Sequence, residues 1–316
     1  PLIYALLICS GILLGNLGND SPKATQEGKI NAILNLIDNH YVDTLNTSDF
    51  EDKTINAILN ELDPHSAYIP VKKYQAVEED MQGSFSGIGV QFNIIDDSIV
   101  VVSAISGGPS EKLGIQSGDR IISVEKEDVA STGIKNEGVI KLLRGEKGSI
   151  VNINIKRRDQ LELIPFAITR DDIPLYSVDV GIMLQDNIGY VKINRFAATT
   201  YEEMMEKVNF LQQAGMQKLI LDLRGNPGGY LHIANQMCDE FLKDGELIVF
   251  TEGRNRPKEE TFATKNGQLE NIKVIVLIDE GSASASEIVS GALQDNDRGK
   301  IIGRRSFGKG LVQEQI

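Results

Sequence analysis

Three serines at alternate positions stand in Gly281-Ser282-Ala283-Ser284-Ala285-Ser286-Glu287-Ile288, and a glycine-flanked lysine follows in Gly308-Lys309-Gly310. A serine hydroxyl attacks a carbonyl poorly until a neighbouring base takes its proton, and a lysine amine is such a base only when neutral. Burial against apolar side chains is the ordinary means of bringing a lysine pKa of about 10.4 toward neutrality. Phe307 and Leu311 flank Lys309 and can supply that wall. The oxyanion formed by such an attack needs converging N–H donors, and a Gly-Gly turn lets the backbone come close with no side chain in the way. Arg224-Gly225-Asn226-Pro227-Gly228-Gly229 offers that turn at the end of a strand-like run, Leu219–Leu223.

The elements that must position these groups are legible nearby. Val274–Ile278 reads as a buried strand, Asp279–Gly281 as a turn and Ala285–Leu293 as a helix, so the serines fall where a strand hands over to a positive helix end. A plainer reading competes. Ser284-Ala285-Ser286-Glu287 also spells the Ser-x-x-Glu capping box, in which the two polar side chains only satisfy free backbone N–H groups. Taken alone, the capping reading has the better claim; the lysine and the Gly-Gly turn tilt the balance toward chemistry.

Together these segments resemble the tail-specific, or C-terminal processing, serine peptidases. In that family the serine of a Ser/Lys dyad precedes the lysine by 25 positions, and here 309 − 284 = 25, which selects Ser284 over Ser282 and Ser286. The resemblance implies Ser284 as nucleophile, Lys309 as general base and Gln313, from the Gly-Lys-Gly-x-x-Gln pattern, as the residue that orients the amine. It maps the oxyanion hole onto the backbone N–H groups of Gly229 and Ala285.

Rival motifs fail at identifiable positions. Gly303-Arg304-Arg305-Ser306-Phe307-Gly308-Lys309-Gly310 nearly spells a phosphate-binding loop, but Gly310 replaces the hydroxyl that would hold magnesium. Leu311–Ile316 then reads as a strand rather than the helix such a loop opens. No Gly-x-Ser-x-Gly elbow surrounds any of the three serines, against an α/β hydrolase. A Ser-His-Asp triad stays open in principle, because its members can be far apart in sequence. Of His40, His65 and His232, the last is the one near the Gly-Gly turn, and it is expected on a first helical turn as a bystander. Two scattered cysteines and no His-Glu-x-x-His leave no metal site, so the chemistry is expected to need no cofactor.

Between the two ends of the chain lies a β-rich stretch. Gly87-Ile88-Gly89-Val90 resembles the carboxylate-binding loop of a PDZ domain, and Gly114-Ile115-Gln116-Ser117-Gly118-Asp119-Arg120-Ile121 resembles its Gly-Leu-x-x-Gly-Asp-x-Ile segment. Backbone N–H groups in such a loop can receive a peptide's terminal carboxylate while the peptide adds a strand to the sheet edge. The implied partner is a protein or peptide substrate with a free C-terminus, held at Gly87, Ile88, Gly89 and Val90. Arg144, after Leu142-Leu143, is either a link from this module to the remainder or a solvated turn residue.

With 316 residues, 41% hydrophobic and 24% charged, the chain has the composition and length of about two soluble domains. A net charge of −13 argues against a nucleic-acid partner, which would ask for a basic face. Leu2–Leu14 is uncharged and nearly all apolar, as in a signal-peptide core or a membrane anchor, and implies an extracytoplasmic, exported or membrane-attached protein. Cys9 lies inside that run and Cys238 in an expected helix, so no disulfide between them is expected. A homo-oligomer is compatible with the sequence.

The expected fold class is mixed α/β: a layered β-β-α peptidase core with an inserted PDZ-like domain and an N-terminal helical segment. Residues 1–17 form the signal or anchor, 18–80 the helical region, 81–170 the PDZ-like domain and 171–316 the core, which is expected to continue past Ile316. Helices are expected over about Gln26–His40, Phe50–Leu62, Tyr201–Ala214 and Tyr230–Leu242, strands at Gly189–Ile193, Leu247–Thr251 and Lys300–Ile302, a connection at Arg170–Pro174 and a surface loop at Gly253–Lys265. The function this implies is a serine endopeptidase acting near substrate C-termini; the alternative is a non-catalytic peptide-binding scaffold of the same fold.

Overall fold

The computed structural model describes residues 28–43, 45–264 and 267–316. The Leu2–Leu14 run, Cys9 and the polar stretch Gly18–Thr25, whose composition reads as a linker, lie outside them. The chain divides into two compact units between Pro70 and Val71.

The first unit contains helices α1 (Lys29–His40) and α2 (Thr47–Leu59). Asn46 caps α2 by accepting the Asp49 N–H, and past the helix Asp63 accepts the N–H of His65 and Ser66 at 2.8 and 3.1 Å, turning the chain at Asp63-Pro64. The apolar spacing that predicts α1 does form a helix, yet none of its residues is buried.

The second unit opens with helix α3 (Val71–Gln82), which has too weak an apolar stripe to be read from sequence. Strand β1 (Ser84–Gly87) leads into β2 (Val90–Ile95), β3 (Ser98–Ala104), the short α4 (Pro109–Lys112), β4 (Arg120–Val124), β5 (Glu127–Asp128), α5 (Asn136–Leu143), β6 (Ile150–Lys156) and β7 (Ile164–Thr169). An antiparallel sheet runs in the order β2-β3-β4-β6-β7, with β5 on β4. Val151, Ile153 and Ile155 face its core, the period of two that a one-sided strand demands. The Gly-Asp segment is fixed by charge: buried Asp119 receives Arg157 Nε and Nη2, both at 2.8 Å, and the Gln116 N–H at 2.8 Å.

Strand β8 (Asp171–Pro174) then pairs antiparallel with β1, Ser84 opposite Pro174 and Gly87 opposite Asp171. The expected connection at Arg170–Pro174 is therefore one half of a ribbon that gathers the two ends of the inserted module. Its partner strand lies 84 or more residues upstream by number, a pairing local sequence cannot announce.

The remaining elements are β9 (Val180–Met183), β10 (Ile188–Lys192), α6 (Thr200–Gln213), β11 (Lys218–Asp222), α7 (Leu231–Asp239), β12 (Leu247–Gly253), β13 (Arg256–Phe262), β14 (Lys273–Ile278), α8 (Ala285–Asp295) and β15 (Gly299–Gly303). They build a sheet in the order β9-β10-β11-β14-β15, parallel from β10 onward, with β9 antiparallel at the edge. Because the parallel strands follow one another in a single direction, right-handed crossovers place α6, α7 and α8 on the same face. Val191, Leu219, Leu221, Val274 and Val276 meet Met204, Leu211, Met237, Val289 and Leu293 there in one buried cluster, which also takes in Cys238 of α7.

Two expectations fail here. The polar stretch Gly253–Lys265 contains a strand, β13, which pairs antiparallel with β12 in a two-stranded sheet of their own, while Ile248 of β12 joins the buried core. Every residue of β13 is solvent-exposed except Thr261, which is half-buried, so Arg-Pro-Lys-Glu-Glu reads as loop although its backbone is paired. Leu311–Ile316 forms no strand: residues 304–316 have no ladder partner among the described residues, and β-propensity without a partner edge gives no sheet. No helix among the described residues is long and apolar enough to cross a membrane.

Candidate active site

Strand β14 delivers the chain to the turn at Asp279–Gly281, where the Asp279 carboxylate accepts the N–H of Gly225 at 2.8 Å and of Gly281 at 3.0 Å. One carboxylate thus ties the turn after β14 to the turn after β11. Beyond it the three serines part company. Ser282 and Ser286 are fully buried and committed: Ser282 Oγ donates to Leu223 O at 2.8 Å, and Ser286 Oγ donates to Asn226 O at 3.0 Å. Ser284, between them, is only half-buried and sits at φ +56°, ψ −113° as the N-cap of α8. A non-glycine residue in the left-handed region is strained, and such strain gathers at functional turns.

The Gly-Gly turn lies directly against it. A Cβ added to Gly228 would meet Ser284 Cβ at 2.8 Å and Ala285 N at 2.9 Å, so only glycine permits this approach. Asn226 builds the turn from inside: its Nδ2 donates to Ile193 O at 3.0 Å, its Oδ1 accepts the Gly228 N–H at 2.9 Å, and its carbonyl accepts the Ala283 N–H at 3.0 Å. Gly229 stands at φ +148° in a parallel bridge to Phe196. In that bridge Phe196 donates to Gly228 O and accepts from Tyr230 N–H, both at 2.9 Å, so the N–H of Gly229 takes no part. Ala285 is the first residue of α8, and its N–H has no acceptor inside the helix. Among the described residues neither N–H has a hydrogen-bond acceptor; Ala285 directly follows Ser284, and Gly229 follows Gly228, the residue packed against it.

The loop carrying Lys309 returns to the same place. Phe307 N–H donates to Ser282 O at 3.0 Å, and the N–H groups of Gly308 and Lys309 reach the Glu287 carboxylate at 2.7 and 2.8 Å. Lys309 Nζ donates to Gln313 Oε1, which joins the two residues, while no hydrogen bond links the amine to Ser284 among the described residues. The expected apolar wall is not built: Phe307 is 62% and Leu311 52% exposed. Catalytic contacts that are open without substrate commonly tighten when it binds.

A buried acid missed in the sequence ends the strand that leads into the Gly-Gly turn. Asp222 closes β11 and accepts from Tyr190 Oη at 2.6 Å, from Arg224 Nη2 and Nε at 2.6 and 3.0 Å, and from the Arg224 N–H at 3.0 Å. Lys192 Nζ adds charge at 3.6 Å. Burial opposes ionisation of Asp222, but these partners overcome it and hold the carboxyl far below the usual aspartate range. An acid ending a buried strand two residues before an arginine was the available signal. His232 falls on the first turn of α7, its ring 5.0 Å from that of Tyr230. Among the described residues no group of three or more His, Cys, Asp or Glu side chains converges as a metal site would require.

At the inserted module, the carbonyl of Ile88 accepts from Ser110 N–H and Oγ–H at 3.1 and 2.5 Å, and that of Gly89 from Ile105 N–H at 2.9 Å. In a trans peptide the following N–H points the opposite way. The donors of Gly89 and Val90 are thereby turned away from the 105–110 segment, with Gly89 at φ +73° and β2 at the sheet edge. Gly87 lies beside Phe85 and Arg144, and Ile88 is buried.

Comparison with known proteins agrees with this architecture. The model of peptidase family S41 matches residues 187–316, and that of the PDZ domain matches residues 86–166. The chain belongs to peptidase family S41, a family of serine-type peptidases, and carries a PDZ domain. It is 34% identical over 320 residues to the carboxy-terminal processing protease CtpA of Bacillus subtilis, covering 98% of this chain and 68% of that protein. To CtpB of the same organism it is 33% identical over 300 residues, covering 94% of this chain and 62% of CtpB, so the chain spans about three fifths of that relative's length. Among solved structures, the photosystem II D1 C-terminal processing protease is 26% identical, with 90% of this chain and 77% of that one covered at a TM-score of 0.46.

Proposed function

We propose that this chain is a serine endopeptidase that cleaves proteins or peptides near their C-termini through a Ser284/Lys309 dyad, with Gln313 orienting the amine. Ser284 Oγ attacks the scissile carbonyl as Lys309 takes its proton and the N–H groups of Gly229 and Ala285 receive the oxyanion; the C–N bond then breaks as the Lys309 ammonium gives that proton to the leaving amine, and water hydrolyses the acyl-enzyme on Ser284. The PDZ domain holds the substrate's terminal carboxylate at Gly87–Val90. The uncharged Leu2–Leu14 run supports export or membrane attachment.

The observation that supports this most is the placing of Ser284: a strained, half-buried N-cap serine packed against the Gly-Gly turn, flanked by two serines whose hydroxyls are already bonded. The names of the B. subtilis relatives, carboxy-terminal processing proteases, support the substrate class. Ser284→Ala and Lys309→Ala should each remove most hydrolysis of an unstructured peptide with the fold intact, and the double variant should be little worse than either, because both act on one proton transfer. Activity retained in Ser284→Ala would overturn the assignment. Peptide binding without cleavage by the unaltered chain would favour the scaffold reading.

A further inference from the structure

We propose that Glu287 is a positioning residue that locks the nucleophile and the general base into one frame, a role that rests on the peptidase reading of Ser284 and Lys309. A capping glutamate needs to satisfy only the N-cap N–H. Here the same carboxylate gathers four donors from two segments about twenty residues apart. Its Oε2 accepts from Ser284 N–H at 2.9 Å and from Lys309 N–H at 2.8 Å, while Oε1 accepts from Gly308 N–H at 2.7 Å and from Ser306 Oγ–H at 2.8 Å.

The segment so held has no regular structure of its own. From residue 304 onward it lacks a ladder, and its other main-chain tethers are Arg304 N–H to Ile278 O at 3.1 Å and Phe307 N–H to Ser282 O at 3.0 Å. Lys309 is the base only if its side chain starts from a fixed main-chain position, and a single oxygen shared with the Ser284 N–H fixes that position relative to the nucleophile. An ionised carboxylate is acceptor-only and suits four donors; an amide would turn its NH2 against the Ser284 and Lys309 N–H groups in one orientation and against the Gly308 N–H in the other, where only the Ser306 hydroxyl can rotate to accept. Burial works against the charge of Glu287, yet the bonds from Ser306, Ser284, Gly308 and Lys309 outweigh it and hold the carboxyl below the ordinary glutamate range. The frame is thus charged and intact at neutral pH.

The test compares wild type with Glu287→Gln and Glu287→Asp in the full chain, measuring kcat and KM on an unstructured peptide, the rate of Ser284 labelling by a fluorophosphonate, and the thermal midpoint. A displacement of order 1 Å at a reacting group can cost about a hundredfold. Glu287→Gln should therefore lose about that factor in kcat and in labelling per folded molecule, with KM within about twofold, and Glu287→Asp, which keeps the charge, should recover part of it. Activity of Glu287→Gln within about twofold of wild type, or a loss accounted for by its unfolded fraction, would overturn the proposal and leave the dyad standing. A wild type that is neither labelled nor active would overturn the dyad, and this inference with it.

Discussion

A hydroxyl that already donates to a main-chain carbonyl inside the fold is spent, and at the residue scale this separates the three serines. Removing the Ser282 or Ser286 hydroxyl strands part of the acceptor capacity of Leu223 O or Asn226 O, so each alanine variant should lose about 1 kcal/mol of stability and still be labelled at Ser284. Denaturant unfolding and labelling, measured together, check this; loss of labelling with unchanged stability would move the nucleophile away from Ser284. Asp222 makes a second prediction, through pH. Its folded pKa is depressed below the ordinary value of about 3.9, so its contribution to stability is present above that value and is lost as pH falls below it. The thermal midpoint of wild type should exceed that of Asp222→Asn at pH 6, and the gap should close on acidification below about pH 4. A gap independent of pH would show that the carboxylate's charge is not what stabilises the turn.

At the scale of the element, Gly229 shows why a turn can be indispensable without a side chain. A Cβ there would stand 2.1 Å from Phe196 O, and φ +148° is closed to other residues, so the turn must shift by more than an ångström to accept alanine. The loss of one oxyanion donor costs about a hundred- to a thousandfold in kcat. Gly229→Ala should fall in that range with KM much less altered, and an unchanged kcat would remove Gly229 from the proposed hole. The glycines, the three serines and the central parallel strands were legible in sequence because each carries a local signal: a Gly-Gly pair, a spacing, a run of β-branched residues. The second use of Glu287 and the Tyr190 bond to Asp222 were not, since Lys309 and Tyr190 lie 22 and 32 positions from the acids they meet; only the pairing of Asp222 with Arg224 is local. The ribbon strand β13 was hidden for a different reason. With solvent on both faces it has no apolar alternation to reveal it, and what joins it to β12 is the antiparallel ladder together with Lys258 Nζ, 4.5 Å from the centroid of the Phe250 ring.

For the second unit as a whole, the question is how a peptide held in the PDZ domain would act on the proposed dyad. Arg144, at the end of α5, donates to Glu79 of α3 and lies 4.2 Å above the Phe85 ring beside Gly87. On the same helix Asp80 pairs with Arg195 at 3.2 Å, and Met81 O accepts the Ala198 N–H at 2.9 Å. Between Arg195 and Ala198 stands Phe196, the residue bridged to Gly229. A continuous set of contacts therefore runs from Gly87, in the proposed carboxylate loop, to Gly229, in the proposed oxyanion hole, and coupling between the two ends is a measurable quantity. The measurement compares a peptide with its amidated form. Amidation removes the terminal charge, and charge-assisted hydrogen bonds of about 1.5–3 kcal/mol correspond to about a ten- to hundredfold loss in kcat/KM. Wild type should show that ratio, and Arg144→Ala should show a smaller one together with a lower kcat on the free peptide. If both peptides are cleaved equally by wild type, recognition of the terminus does not pass through Gly87–Val90. If Arg144→Ala keeps the full ratio and the full kcat, the groove binds substrate without acting on the turn, and the two halves of the unit work independently.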